Sequence, residues 1–242
     1  MRALVTGGGQ GIGAATVRRL AADGFDVAVH ANRHLAEAET EAAGARSSGR
    51  DAFVLPGDLA TPAGVRDVVD AITKKWDSLD VLVHNAGVYE RGPFLAITDD
   101  DLLDCFRINL FAPFSLTREL VPLLRRSSSG RVVFVSSLLA FTGATAGAHY
   151  AAAKAGLLGL SRSLAKELAP GITVNVVAPG PVDTAILAGD TPARRAERQR
   201  WIPLGRIGEP SDVANAIAFL ASPGAAFLTG TTVHVNGGQR SD

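Results

Sequence analysis

Apolar runs of strand length alternate along the chain with longer segments whose apolar positions recur every three to four residues. The runs predict strands near 2–6, 26–31, 52–56, 80–84, 130–136, 172–178 and 232–235. The helical pattern falls near 11–23, 33–47, 61–75, 99–126, 149–169 and 210–221. Val132-Val133-Phe134-Val135 and Val174-Asn175-Val176-Val177 are almost continuously apolar, as strands covered on both faces require. This alternation implies an α/β architecture: a doubly wound, seven-stranded parallel sheet flanked by helices, with right-handed crossovers. No linker, repeat or low-complexity tract divides the chain, so residues 1–242 are expected to form a single domain.

One stretch breaks the rhythm. Residues 184–204 run through Thr191-Pro192 and Arg194, Arg195, Arg198 and Arg200 to Trp201-Ile202-Pro203. A long excursion beyond the carboxyl end of a strand predicts a small lid after strand 6. Its arginines are expected to face water.

Composition narrows the function classes. The 24 basic residues balance 24 acidic ones, which argues against a nucleic-acid or membrane partner. Hydrophobic residues make up 47%, so the chain is globular. The single cysteine, Cys105, excludes an intramolecular disulfide, and no metal site is expected; its apolar surroundings predict a buried side chain. The first predicted strand begins at Arg2 and no apolar run is long enough to span a bilayer, so a cytoplasmic location is expected.

Chemistry enters first at the N-terminus. Strand 1 runs into Thr6-Gly7-Gly8-Gly9-Gln10-Gly11-Ile12-Gly13, which opens a helix. Glycines permit a tight turn and let backbone N–H groups approach a pyrophosphate where the helix dipole favours anions. A NAD site places an acid at the end of strand 2, but here the sequence reads His30-Ala31-Asn32-Arg33-His34. Asn32 and Arg33 offer donors to a 2′-phosphate, which predicts NADP(H) as cofactor. His30 reads as a packing residue.

The second signal is Tyr150-Ala-Ala-Ala-Lys154, with Ser137 thirteen residues upstream. Positions i and i+4 share a helix face. A neighbouring ammonium is expected to lower the phenol pKa from about 10 toward the working range. Ser137 then holds a carbonyl oxygen while Tyr150 gives it a proton.

These residues resemble the short-chain dehydrogenase/reductase family over essentially the full length, which implies a Rossmann fold. The first turn matches the family's TGxxxGxG pattern, and Gly57-Asp58-Leu59 is similar to its adenine-contacting turn. Asn85-Ala86-Gly87 matches the NAG motif after strand 4. Pro179-Gly180-Pro181-Val182-Asp183-Thr184 is similar to the PGxxxT turn, where Val182 and Thr184 would hold the nicotinamide carboxamide. The resemblance implies a catalytic tetrad of Asn109, Ser137, Tyr150 and Lys154. Ser136 competes with Ser137, and the spacing to Tyr150 favours Ser137. Asn109 would bend its helix and hold a water beside Lys154, and Lys154 would bind the nicotinamide ribose. Reduction of a ketone by NADPH follows as the expected activity. An NADP-dependent secondary-alcohol dehydrogenase acting on a steroid, polyol or aromatic substrate is the alternative. A non-catalytic dinucleotide sensor would need neither Tyr150 nor Lys154.

Substrate signals are weaker. Pro203-Leu204-Gly205-Arg206-Ile207-Gly208-Glu209-Pro210 looks closest to 3-oxoacyl-[acyl-carrier-protein] reductases, implying a 3-oxoacyl or polyketide-type ketone that an acyl carrier protein delivers. A basic residue that commonly precedes strand 6 in those enzymes is missing from Ala169-Pro170-Gly171, while Arg125 and Arg126 lie at another candidate docking edge, where a helix C-terminus also favours cations for its own dipole. The resemblance implies a pocket wall of Leu138, Leu139, Val88, Tyr89, Pro181, Leu187 and Trp201. His149 is expected at a structural or subunit contact. A homotetramer through helices 99–126 and 149–169 is the family expectation.

Overall fold

The structure, a computed structural model, describes residues 1–240. In chain order it runs β1 (Arg2–Thr6), α1 (Gly11–Ala22), β2 (Asp26–Ala31), α2 (Leu35–Ser47), β3 (Ala52–Pro56), α3 (Pro62–Lys75) and β4 (Val81–His84). Next come α4 (Asp99–Phe106), a π-helical segment (Arg107–Phe111), α5 (Ala112–Leu124), β5 (Gly130–Val135), α6 (Leu139–Thr142) and α7 (Ala148–Glu167). The chain closes with β6 (Ile172–Pro179), α8 (Pro192–Arg200), α9 (Pro210–Ala221) and β7 (Thr232–Val235). The seven strands form one parallel sheet in the order β3-β2-β1-β4-β5-β6-β7.

Strand alternation decides which side chains meet which helices. Val5, Val29, Val133 and Val177 point to the layer holding Val17 of α1, Ala38 of α2 and Ile217 of α9. Leu4, Leu82, Val132 and Phe134 point the other way, onto Ile72 of α3, Leu120 of α5 and Leu157 of α7. Each central strand therefore buries both faces, which is why its sequence is almost continuously apolar.

Helix ends follow local chemistry. Thr61 caps α3 by accepting from Gly64 N at 3.0 Å, with Pro62 at the first helical position. Thr98 and Asp101 form a reciprocal capping box on α4.

The predicted helix 99–126 is not a single α-helix. Its ladder switches to π geometry over Arg107–Phe111, because the Asn109 side chain inserts and donates from Nδ2 to Cys105 O at 2.9 Å. Two short helices, α6 and α8, were also not predicted. The sequence 139–142 is too short to show a period, and α8 buries no residue. Among the described residues no helix is long and apolar enough to cross a membrane.

Candidate active site

Strand order reverses between β1 and β4, and a cleft of about 990 Å³ opens above their carboxyl ends. Thr6 and Gly13 shape its floor from behind. Thr6 Oγ1 donates to Val83 O at 3.2 Å and accepts from the Asn85 and Ala86 backbone N–H groups, each at 3.0 Å. Asn85 Nδ2 donates in return to Thr6 O at 3.0 Å and Gly7 O at 3.1 Å. These bonds clamp the turns after β1 and β4 together. A Cβ on Gly13 would lie 2.0 Å from Gly7 O, so only glycine fits beneath the turn. Gly7 adopts φ +65° and Gly11 φ +53°, the left-handed region. Gly7, Gly9, Gln10, Gly11 and Ile12 line the cleft, where the N-terminus of α1 suits a pyrophosphate.

Asn32 and Arg33 are exposed after β2, and Asp58 and Leu59 follow β3 on the same wall. Leu59 is buried, while Asp58 Oδ1 accepts from Ala60 N at 3.1 Å. His30 does more than pack. Its Nε2–H donates to Gly57 O at 3.0 Å, and its Nδ1 accepts from Gly7 N at 3.3 Å. One neutral tautomer thereby ties the glycine turn to the turn after β3. Burial lowers its pKa below the ordinary histidine value and keeps that form in place. A strand-end histidine gives no sequence signal for such a bridge.

Tyr150, Lys154 and Ser137 converge at the inner end of the cleft. Tyr150 and Lys154 lie on one face of α7, with Lys154 Nζ 5.7 Å from the phenol ring centroid. Lys154 Nζ donates to Val135 O at 2.9 Å. Ser137 Oγ accepts from Leu139 N at 3.1 Å, and the Ser137 side chain acts on the Tyr150 phenol to lower its pKa. Ser136 turns away, is buried, and donates to Lys154 O at 2.8 Å, which leaves Ser137 as the hydroxyl at the site.

Asn109 stands behind the cleft wall. Its Nδ2 also donates to Val88 O at 3.0 Å, while Oδ1 is buried and takes no hydrogen bond from a described residue. A Cβ on Gly87 would meet Asn109 Oδ1 at 2.6 Å and Lys154 Nζ at 3.2 Å. The bare face of Gly87 is thus where the free acceptor and the ammonium converge. Cys105 is buried and its pKa is raised by desolvation, consistent with an inert side chain.

The electrostatics differ from the sequence expectation. Burial pushes the Tyr150 phenol up to about 12, with the Ser137 side chain pulling the other way. Burial drives Lys154 down to about 8. Desolvation therefore dominates at the phenol in the protein alone, and Ser137 supplies the opposing interaction.

Pro179, Gly180, Val182 and Thr184 close the far wall. Thr184 Cγ2 lies 3.1 Å from where a Gly11 Cβ would sit, so this turn abuts the glycine turn. Val88, Tyr89, Leu138, Leu139, Pro181 and Leu187 line the cleft as expected. Trp201 does not. It follows α8, which has no buried face, and is 73% exposed. Tyr89 packs on Tyr150 with ring centroids 4.5 Å apart and donates its hydroxyl to Ala146 O at 2.9 Å. Arg194 and Arg198, expected to face water, line the cleft, as does Arg91, which the sequence did not single out. Arg195 instead pairs with Asp183. His149 is buried beside α4 and outside the cleft. Among the described residues no group of three or more His, Cys, Asp or Glu side chains is placed to hold a metal ion.

Known proteins share this fold. A family model described as enoyl-(acyl carrier protein) reductase matches residues 7–240. The 3-oxoacyl-[acyl-carrier-protein] reductase of Escherichia coli (strain K12) is 39% identical over 98% of this chain and 96% of its own length. A short chain dehydrogenase from Burkholderia cenocepacia J2315, solved in complex with NADP, superposes with a TM-score of 0.93 at 37% identity, covering 99% of this chain and 98% of that one. The angucycline C-6 ketoreductase LanV with bound NADP gives a TM-score of 0.93 at 30% identity, covering 98% and 95%. A parallel sheet with this strand order, a clamped glycine turn and a serine–tyrosine–lysine cluster, together with full-length similarity, place the chain in the short-chain dehydrogenase/reductase family.

Proposed function

We infer that the protein is an NADPH-dependent ketoreductase resembling the 3-oxoacyl-[acyl-carrier-protein] reductases. The observation that carries this reading is the Tyr150 phenol, sharing the cleft with Ser137 and facing Lys154 above a glycine turn. NADPH, when bound, supplies the hydride. The residues fit that cofactor: Gly7, Gly9, Gln10, Gly11 and Ile12 form a cradle at a helix N-terminus, and a Cβ on Gly9 would lie 2.8 Å from His34 O. Arg33 and Asn32 would take the 2′-phosphate, with Asp58 and Leu59 flanking the adenine. Asn85, Ala86 and Gly87 would support the ribose side, and Pro179, Gly180, Val182 and Thr184 the nicotinamide.

Ser137 holds the substrate carbonyl oxygen in this reading, and Tyr150 donates its proton to that oxygen as negative charge develops there. A phenol near 12 is protonated at neutral pH and so is ready to act as the acid. Lys154 gives hydrogen bonds to ribose hydroxyls. Asn109 Oδ1, unpaired and converging with Lys154 on Gly87, would hold a water that returns the proton.

Residues 184–204 act as a lid over the remainder of the same domain. The apolar wall suits a 3-oxoacyl or polyketide-type ketone, and delivery by an acyl carrier protein fits the Escherichia coli relative. Exposed Arg125 and Arg126 at the end of α5 offer cations to an acidic carrier. Exposed Leu102, Leu103, Phe111 and Phe114 along α4 and α5 support a homotetramer through these helices and α7. A cytoplasmic location accords with this chemistry.

The direct test is Tyr150→Phe, assayed by NADPH oxidation with an acetoacetyl thioester. Turnover should fall by roughly 10²–10⁴-fold while NADPH binding is retained. Equal loss of both would refute the role given to Tyr150.

A further inference from the structure

The cleft mouth carries a charge cluster that hydride transfer does not use. Asp190, between β6 and α8, has a side chain only 3% exposed. Arg198 Nε donates to its Oδ2 at 2.5 Å, while Arg194 Nε lies 3.5 Å and Arg91 Nη2 3.9 Å from its Oδ1. The Arg198 hydrogen bond is the main reason its carboxyl titrates below the usual range. Three guanidiniums around one carboxylate leave positive charge in excess. Glu90, which also lines the cleft, offsets part of it, and Asp104 is paired with Arg107 at 2.6 Å.

All three arginines line the cleft and remain partly exposed. Their place is on the substrate side. The Arg91 guanidinium sits 5.6 Å from the Tyr89 ring centroid, and Tyr89 packs on Tyr150. Arg33, the cation suited to a cofactor phosphate, follows β2 on the other side of β1.

We propose that Arg91, Arg194 and Arg198, organised by Asp190, recognise an anionic group on the substrate, a carboxylate or a phosphate, about one aromatic ring's length beyond the ketone. Guanidinium forks match either anion in paired hydrogen bonds. Asp190 fixes Arg198 and leaves Arg194, the most exposed of the three, with donors to offer. This proposal deepens the ketoreductase reading and rests on it.

The test measures kcat/KM for NADPH oxidation with 4-acetylbenzoate, its neutral methyl ester and 4-acetylphenyl phosphate, with an acetoacetyl thioester as the control for basal activity. Arg194→Ala should raise KM about tenfold or more for the charged ketone that fits, while the methyl ester and NADPH affinity change by less than about twofold. The carboxylate and phosphate arms identify the source of the anion. Arg194→Lys should recover part of the loss. Equal losses on charged and neutral ketones would mean a staple that holds the lid, and would overturn the proposal. Weakened NADPH binding would overturn it in favour of a cofactor contact, and unchanged kinetics would overturn it outright. If wild-type protein reduces none of the four, the activity reading fails. Calorimetric binding of 4-acetylbenzoate and 4-acetylphenyl phosphate to NADPH-loaded wild type and Arg194→Ala then decides the proposal by itself.

Discussion

Raising the pH from 7 to 10 removes the proton from Lys154 well before it touches Tyr150. Burial brings the ammonium from 10.5 to about 8, a preference for the neutral amine of roughly 3 kcal/mol, while the phenol sits near 12. The acidic and basic groups at the site therefore titrate in the order opposite to the one a Tyr–Lys pair suggests from sequence. An ammonium donating to ribose hydroxyls makes charge-assisted bonds worth about 1.5–3 kcal/mol, against about 0.5–1.5 kcal/mol for neutral donors. The difference, near 1.4 kcal/mol, is about tenfold in affinity. The dissociation constant for NADPH, followed by its fluorescence, should be flat near pH 7 and rise about tenfold between pH 8 and 10. Lys154→Met should bind more weakly and show no bend. The fold itself should not be failing over this range. The native state holds fewer protons on Lys154 than the unfolded chain between about pH 8 and 10.5, so this group's contribution to stability rises with pH there. A flat affinity to pH 10, or a bend that survives in Lys154→Met, would refute the assignment.

Three further outcomes are expected. Gly87→Ala places a methyl 2.6 Å from Asn109 Oδ1, which cannot retreat because its Nδ2 is held by Cys105 O and Val88 O. A displacement of Lys154 should then cost about 10²-fold in kcat, read by NADPH oxidation alongside a melting curve that confirms folding. Arg33→Ala should raise KM for NADPH by about tenfold or more and leave KM for NADH unchanged, by steady-state kinetics with both cofactors. His84 is fully buried, stacks on Phe134 and is held neutral down to about pH 3. Its folded pKa lies below 6.5, so stability is lost as pH falls from 6.5 toward 3, at about 1.4 kcal/mol per pH unit. Denaturant titrations should show this acid slope in wild type and its reduction in His84→Leu.

Local pattern carried much of this protein. The apolar runs of the strands located all seven, because a strand covered by helices on both faces admits few polar residues. The glycine turn was legible because positive φ at Gly7 and Gly11, and contact at Gly13, exclude other residues. Tyr150 and Lys154 were legible because helical spacing puts i and i+4 on one face. Asn109 was marked out by resemblance, and its break of the helix ladder has a cause in its own amide reaching Cys105 O.

Other features depend on contacts between segments distant in the chain. His30 bridges Gly7 and Gly57 only because β1, β2 and β3 lie side by side. Arg91 meets Asp190 across almost a hundred residues, so the arginines of residues 184–204 were expected to face water until Asp190 was seen buried among them. Trp201 was placed in the pocket wall by the resemblance, yet α8 has no face that packs inward. Most decisively, the spacing of Tyr150 and Lys154 said that they meet, while the protonation of each depended on how completely the fold removed water from around them. By itself the sequence determined the strands, the turn and the meeting of Tyr150 with Lys154, since short-range sterics and periodicity govern those. Tertiary structure alone decided the charge states and the placement of the arginine cluster, since desolvation and long-range ion pairing are properties of the assembled fold.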